Sequence, residues 1–339
     1  MKNIIFIVDA PKTPSGGGKV IYQYSNYINS KRNFSSSIIH LEKKRGSKLL
    51  ESIKKRINLN KTKYFGWDFK DVKIKKNYKF SWIEKQIQTK NNFYFDKDRD
   101  FVVLPEIFSH FAPDFLIKEK IPYAIFVQNG YSIFSTNKLA KLKQSYNHAK
   151  YILSYSKDIE KCVLLAFPNV KNKILKVGYS IDFKKFKTKK KKNVITYMPR
   201  KIPHQSQLVL SFLKNLLPKS WKVKALHNLN QGQVYNELLN SKIFLAFSYL
   251  EGLPLPPVEA ALAGNRVIGY TGEGGKEYWK KPIFIEIKST EIKNFCSQIL
   301  KYLNDKKFLK ASRHQRLKLS KQFSVQQEQK FINNFLRKL

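Results

Sequence analysis

Sulfur, arginine and acidic residues are all scarce in this chain. It has two cysteines and two methionines, arginine supplies nine of its 65 basic residues, and only 24 acidic residues face those 65. Cys162 and Cys296 lie far apart and neither stands at metal-ligand spacing. A disulfide framework and a zinc knuckle are therefore excluded, and reduced, buried thiols are expected. No apolar run approaches the roughly 18 residues that a membrane-spanning helix needs. The run Ile4 to Val8, ended by Asp9, is too short for the core of a signal peptide. The expected location is the cytoplasm.

What is abundant is lysine. The formal net charge of +41 would draw the surface to polyanions at low salt. Lysine nevertheless dominates over arginine and is accompanied by much Asn, Ile, Phe and Tyr, the pattern that a lysine-favouring codon usage produces. The runs Lys43 to Arg45, Lys54 to Arg56, Lys73 to Lys76 and Lys184 to Lys192 read as solvated faces. Their functional alternative is peripheral attraction to an anionic membrane, worth about 1 kcal/mol per basic residue near the surface. No recognition helix, RNA-binding signature or zinc spacing accompanies the charge, so no specific nucleic-acid partner is expected. With 42% apolar and 14% aromatic residues in 339, the chain can fill two cores of about 150 residues each.

Strands and helices alternate along the chain. In the first half, Asn3 to Val8, Ser35 to Leu41, Phe101 to Leu104, Tyr123 to Val127 and Tyr151 to Ser154 read as strands, and about Lys19 to Ser30 and Lys138 to His148 as helices. Leu49 to Ile57 and Trp82 to Lys90 are helix-like. The lysine tract 184–192 reads as a linker. A second series follows, with strands at Asn193 to Tyr197, Lys222 to Leu226, Ile243 to Phe247, Arg266 to Tyr270 and Ile283 to Ile287. Its helices are expected at Ser206 to Leu217, Gln231 to Asn240 and Thr290 to Leu303, before a helical tail. Such alternation predicts parallel sheets. The fold class is therefore α/β, with two doubly wound, Rossmann-like domains at 1–183 and 193–318 and a closing helix at 319–339.

One segment carries chemistry. Glu251-Gly-Leu-Pro-Leu-Pro-Pro-Val-Glu259 places two carboxylates eight positions apart, and both can face one ligand. Ile243 to Phe247 reads as a strand buried on both faces, with Ser248 to Leu255 as the loop at its carboxyl end. Pro256 and Pro257 suit a first helical turn, and Gly264 suits a left-handed stop. Loops at the carboxyl ends of parallel strands line ligand crevices, and a helix amino terminus favours an anion such as a diphosphate. A carboxylate just inside that helix can accept hydrogen bonds from sugar hydroxyls. Taken singly, Glu251 would be a solvated loop residue and Glu259 a complement to the helix dipole.

The whole string resembles the signature of retaining glycosyltransferases of family 4, E-G-F-G-L-P-x-x-E-A-x-A-x-G-x-P-V. Both glutamates, Gly252, Pro256, Ala260, Gly264 and Val267 fall in register with it. The resemblance implies a GT-B fold with a cleft between its two domains, and a closing helix that returns to the first domain through Phe331 and Phe335. It implies transfer of a sugar from a nucleotide sugar to a glycan or lipid-linked acceptor, with no cofactor. Glu259 would hold the ribose and Glu251 the sugar hydroxyls, with Gly252, Leu253 and Leu255 between them at the donor. Arg200 and Lys201, after the strand 193–197, would face the leaving diphosphate. Cationic side chains would then do the work of a metal. Gly274 and Gly275 match the family's glycine-rich loop beside the donor.

Pro14-Ser-Gly-Gly-Gly-Lys19 fails as a P-loop and as G-x-G-x-x-G. It reads as a small-residue loop whose N–H groups can approach a diphosphate or acceptor, and the resemblance places Gly17 and Gly18 in the cleft as donor-binding residues. Two departures stand out. The family's histidine after a middle strand is replaced by Phe126-Val-Gln-Asn-Gly130, which offers Gln128 or, as the catalytic candidate, Asn129; His110 is a further option. Pro254 replaces a usual glycine and removes a backbone donor. A noncatalytic or polyanion-binding protein, and a sugar-nucleotide epimerase or phosphorylase, are the alternatives on the same fold.

Overall fold

The computed structural model describes residues 1–10, 15–44, 67–80, 83, 86–182, 190–305 and 307–339. The expected helix at 49–57, the basic run 54–56, and residues 184–189 of the lysine tract lie outside them. The chain forms two compact units, residues 1–155 with 159–177, and 156–158 with 178–339.

The first unit holds a seven-stranded sheet. Its strands are β1 (Lys2–Asp9), β2 (Phe34–Lys43), β3 (Val72–Ile74), β4 (Asp100–Pro105), β5 (Tyr123–Val127), β6 (Tyr151–Ser154) and β7 (Ile174–Lys176), in the order β3-β2-β1-β4-β5-β6-β7. All pair in parallel except β3, which runs against β2. Ile4 to Val8, Val102 to Leu104 and Ala124 to Val127 are buried throughout, as the central strands of a sheet covered on both faces must be. Helices α1 (Gly16–Ile28), α2 (Leu139–His148) and α3 (Lys157–Ala166) accompany the sheet.

Gly17 and Gly18 lie in the first turn of α1, not in the loop expected for them. Ser15 caps that turn, its hydroxyl accepting the Gly18 N–H at 3.4 Å. Val20, Ile21, Tyr24 and Ile28 then bury one helical face, and this packing overrides the low helix propensity of three glycines. The segment near 82–90 is not helical where it is described: Thr89 bridges Ile38 in parallel, and the Lys90 N–H donates to the Ile38 carbonyl at 2.9 Å.

The second unit is an all-parallel, five-stranded sheet of β8 (Lys192–Tyr197), β9 (Lys222–Ala225), β10 (Ser241–Glu251), β11 (Arg266–Glu273) and β12 (Phe284–Glu286), in the order β12-β11-β10-β8-β9. Ile243, Leu245 and Phe247 pack with Val209 and Leu213 of α4 (Pro203–Leu213) and Phe295 and Ile299 of α7 (Ile292–Lys301). Helices α5 (Gln231–Asn240) and α6 (Pro256–Leu262) also pack on β10. The tail is three helices, α8 (Phe308–Ala311), α9 (Arg313–Gln322) and α10 (Val325–Leu336). Glu328 of α10 accepts the Ser180 N–H at 3.0 Å and its hydroxyl at 2.9 Å, and a side chain at Gly178 would run into Phe331.

Lys191, in the expected linker, is bound rather than solvated. Its ammonium donates to the Leu238 carbonyl at 2.9 Å and the Ala263 carbonyl at 2.6 Å, at the carboxyl ends of α5 and α6. Burial, and secondarily the Arg316 charge, push its pKa down to about 7.

Candidate functional site

The second sheet reverses its strand order at β8 and β10: β9 lies outside β8, whereas β11 and β12 follow on the far side of β10. In open parallel sheets the carboxyl ends of the two strands at such a point flank a ligand crevice. Here they carry Lys201, just beyond β8, and Glu251, the last residue of β10. The Lys201 ammonium stands 3.7 Å from the Glu251 carboxylate. Arg200 is exposed in the same turn as Lys201.

Glu251 ends a strand instead of standing in the loop expected after Phe247. β10 runs on to pair Glu251 with Glu273, through a register shift between Ser248 and Glu251. The irregularity leaves Leu250 at φ 44° and Glu273 at φ 70°, left-handed backbone that costs about 1–3 kcal/mol at non-glycine residues. Bulges of this kind re-aim side chains beside functional sites, and this one sets the direction of Glu251.

The glycine-rich turn after β11 packs on the same strand end. A Cβ on Gly274 would stand 1.9 Å from the Gly252 carbonyl oxygen and 2.7 Å from that of Glu251. Gly275 faces Pro254 and the Tyr278 hydroxyl, and the buried Tyr278 hydroxyl donates to the Pro254 carbonyl. Gly274 is thus glycine because main chain approaches it, whereas a Cβ on Gly275 would meet only side chains, those of Tyr278, Pro254 and Trp279 at 3.2–3.4 Å. Pro254, the departure from the family string, fills the space under this turn. Leu253 and Leu255 are half-buried and Gly252 is buried.

Pro256 and Pro257 open α6 as expected, and Gly264 ends it at φ 88°. Glu259, in its first turn, hydrogen-bonds the hydroxyl of Tyr235, which also accepts from Gln231 Nε2 at 2.5 Å. Burial, reinforced by the Glu259 charge, raises the pKa values of both Tyr235 and Tyr179. No sequence signal marks these two tyrosines.

The first unit assembles a second cluster, where its strand order reverses between β1 and β4. Gln128 Nε2 donates to the Gly17 carbonyl at 3.2 Å, and a Cβ on Gly17 would stand 2.1 Å from Gln128 Oε1. Asn129 caps the turn at 130–132, its Oδ1 accepting the Tyr131 N–H at 3.2 Å. Beneath them lies Glu106, 5% exposed and unremarked in the sequence, with one oxygen on each N–H of Gln128 and Asn129 at 3.1 Å. His110 is buried beside Phe111 with Nε2 on the Trp67 carbonyl at 2.8 Å, a core arrangement.

The sequence holds two overlapping Asp-x-Asp spacings, Asp96-Lys-Asp98-Arg-Asp100. Asp96 accepts the N–H groups of Asp98 and Arg99 and binds the Arg99 guanidinium at 2.7 Å, and Asp100 accepts the Asp96 N–H. They build the turn at the amino end of β4, away from the strand ends that carry the clusters. Among the described residues no three His, Cys, Asp or Glu side chains gather into a metal-ligand group, and no helix is long and apolar enough to cross a membrane.

Residues 204–320 match the profile of the family described as glycosyl transferases group 1. Over its whole length the chain is similar in structure to HepE of Anabaena in complex with UDP and glucose, at a TM-score of 0.69 and 12% identity with 100% of each chain covered. It is also similar to sucrose-phosphate synthase of Thermosynechococcus elongatus (TM-score 0.65, 10% identity, 100% of this chain and 99% of that one). A third similar structure is a TarM variant of S. aureus bound to fondaparinux, α-GlcNAc-glycerol and UDP (TM-score 0.64, 10% identity, 99% of each chain). These likenesses define the fold as GT-B, built from two parallel-sheet, Rossmann-like units. No curated protein matches the chain in sequence.

Proposed function

We propose that the protein transfers a sugar from a nucleoside diphosphate sugar to a glycan or lipid-linked acceptor, with retention at the anomeric carbon, in the manner of family 4 glycosyltransferases. The observation that carries this reading is the Lys201–Glu251 pair at the strand-order reversal of the second sheet, with Glu251 inside the stretch 204–320 that matches the glycosyl transferases group 1 profile and Lys201 just ahead of it. A cation and a carboxylate placed together can divide a nucleotide sugar between them. Lys201, with Arg200, takes the diphosphate, and Glu251 accepts from the sugar hydroxyls. Glu259, oriented by Tyr235, accepts from the ribose. Gly252, Leu253, Leu255, Gly274 and Gly275 shape the donor side.

In the reaction, the bond from the anomeric carbon to the diphosphate oxygen breaks and a bond to the acceptor oxygen forms. The acceptor proton passes to the departing diphosphate, so no side chain has to be a strong base. Lys201 and Arg200 stabilise the charge that develops on the leaving group, the term on which such sites rely most. This assigns the charge-balancing role to cations of the chain without a metal ion or other cofactor. Gly17, Gly18 and Asn129 belong to the acceptor-side unit. UDP is the nucleotide to try first, since HepE, TarM and S. aureus MnaA were each captured with it. A hexose is the expected sugar and an envelope glycan the expected acceptor, reached from the cytoplasm; the excess of 65 basic over 24 acidic residues favours peripheral contact with an anionic membrane.

The test is a thermal-shift and calorimetry panel of nucleoside diphosphates and their sugars at physiological salt, on the wild type and Glu259→Ala, with and without EDTA. Ligand at about 100 times its Kd stabilises the folded state by about 2.7 kcal/mol. A base-selective shift, lost in Glu259→Ala and indifferent to EDTA, is the expected result. No shift with any nucleotide would overturn the reading in favour of a noncatalytic protein.

A further inference from the structure

Glu106 opens the turn after β4 and is almost fully enclosed. Its oxygens are taken up by main chain, Oε2 by the Gln128 N–H and Oε1 by the Asn129 N–H, each at 3.1 Å. The turn it holds leads to two side-chain amides. Gln128 reaches across to the Gly17 carbonyl at 3.2 Å and lies 3.5 Å from the Tyr155 hydroxyl, while Asn129 caps the next turn. One buried carboxylate thus ties the turn after β4 to the turn after β5, and the Gln128 side chain carries the link to the first turn of α1 and to Tyr155, just beyond β6.

We infer that Glu106 is a positioning residue for the acceptor side of the transfer, its carboxylate fixing the Gln128–Asn129 turn so that both amides are held ready at the strand ends. The clamp itself is independent of the transferase reading; what the turn is held ready for rests on it. Only a carboxylate can accept from two adjacent N–H groups in this way, because a glutamine here would point its own NH₂ at one of them. Hydrogen bonds to a charged acceptor are also the stronger kind.

The clamp is pH-dependent. Burial pushes the Glu106 carboxyl up to about 7, against the pull of three N–H groups, those of Gln128, Glu106 itself and Asn129, and the Asp9 charge from β1 adds to the rise. From α2 the group facing it is the Tyr146 phenol, which burial keeps protonated; the turn after β5 presents only neutral amides. Protonation of Glu106 removes the charge from the acceptor and places an O–H on one of its oxygens, so the hold on the Gln128 and Asn129 N–H groups weakens as pH falls through about 7.

The experiment uses the full chain as wild type, Glu106→Gln and Glu106→Asp. Hydrogen-exchange protection of the Gln128 and Asn129 amides, corrected for intrinsic rates, is followed from below to above neutral pH. Wild-type protection should rise about ten- to hundredfold across neutrality, the range for a hydrogen bond to a charged group. Glu106→Gln should lack both the protection and the step; Glu106→Asp, one methylene short, should keep a step but protect one amide. UDP affinity by calorimetry should be unchanged in both variants. The transfer rate from UDP-glucose should fall at least about tenfold with the donor KM unchanged. Equal protection in wild type and Glu106→Gln, or no step in the wild type, would overturn the clamp. Unclamped amides with full transfer rate would overturn the positioning role. Should Glu106→Gln not fold, the wild-type step and Glu106→Asp decide. Should the wild type bind neither UDP nor UDP-glucose, the transferase reading fails while the exchange data still judge the clamp.

Discussion

The Lys201 ammonium and the Glu251 carboxylate stand 3.7 Å apart across the two strand ends where the second sheet changes direction. Both side chains are substantially exposed, at 40% and 20%, and an ion pair of this kind contributes at most about 1 kcal/mol to stability. Folding therefore gains little from the pair, and its proposed role is in holding the donor. Lys201→Met should leave unfolding by urea within about 1 kcal/mol of wild type. It should lower kcat for sugar transfer by about a hundredfold or more, as removing a group aimed at developing charge does. A variant with wild-type kcat would take Lys201 out of the mechanism.

Gly274 and Gly16 offer a matched contrast. A methyl on Gly274 meets the Gly252 carbonyl at 1.9 Å, main chain that cannot swing aside, whereas a methyl on Gly16 meets nothing within 4 Å. Gly274→Ala should destabilise the second unit by about 1–3 kcal/mol or more and displace Glu251, so that nucleotide-sugar binding is lost. Gly16→Ala, in the first turn of a capped helix, should be neutral or stabilising by up to about 1 kcal/mol. Denaturant midpoints of the two variants check this directly, and equal midpoints would refute it.

Much of the architecture was legible because it is local. The apolar runs at Tyr123–Val127 and Tyr151–Ser154, and the Pro256–Leu262 helix closed by Gly264, come out where their sequences put them. Composition, hydropathy and turn chemistry act there over a few residues. What was not legible depends on partners distant in sequence. Glu106 follows a strand as any solvated glutamate might, and only the amides of Gln128 and Asn129 make it a buried group. β10 outruns its apolar stretch because β11 offers Glu273 as a partner for Glu251. The short strands β3 and β7 and the helix α3 were missed, and the Tyr235–Glu259 contact joins two helices whose packing no spacing announces.

Gly17 should behave unlike Gly274, although both are crowded. Its methyl would meet Gln128 Oε1 at 2.1 Å, the far end of a flexible side chain, so the fold can yield by turning Gln128 away. Gly17→Ala should therefore keep stability within about 1 kcal/mol, helped by the better helix propensity of alanine, and break the Gln128–Gly17 hydrogen bond. Donor affinity should be unchanged and kcat reduced. Calorimetry against UDP paired with transfer kinetics reads both, and a variant with weakened UDP binding but normal turnover would contradict the assignment of this cluster to the acceptor.

Lys191 links the stability of the second unit to pH. Its ammonium ends α5 and α6 on the Leu238 and Ala263 carbonyls, and burial brings its pKa from the ordinary 10.5 down to about 7. Between those two values the unfolded chain binds the proton and the folded chain does not, so the contribution of Lys191 to unfolding free energy rises with pH across that window, by at most about 1.4 kcal/mol per pH unit. Below about pH 7 Lys191 is protonated in the folded and the unfolded chain alike, so its contribution no longer changes with pH. Lys191→Met removes the titration. The difference in unfolding free energy between wild type and Lys191→Met should therefore grow in favour of wild type from about pH 7 to about pH 10, while groups common to both proteins cancel. Parallel curves over that range would mean that Lys191 stays protonated in the fold, and that its two carbonyl contacts, set against the charge of Arg316, hold a full positive charge at the carboxyl end of the helix that carries Glu259.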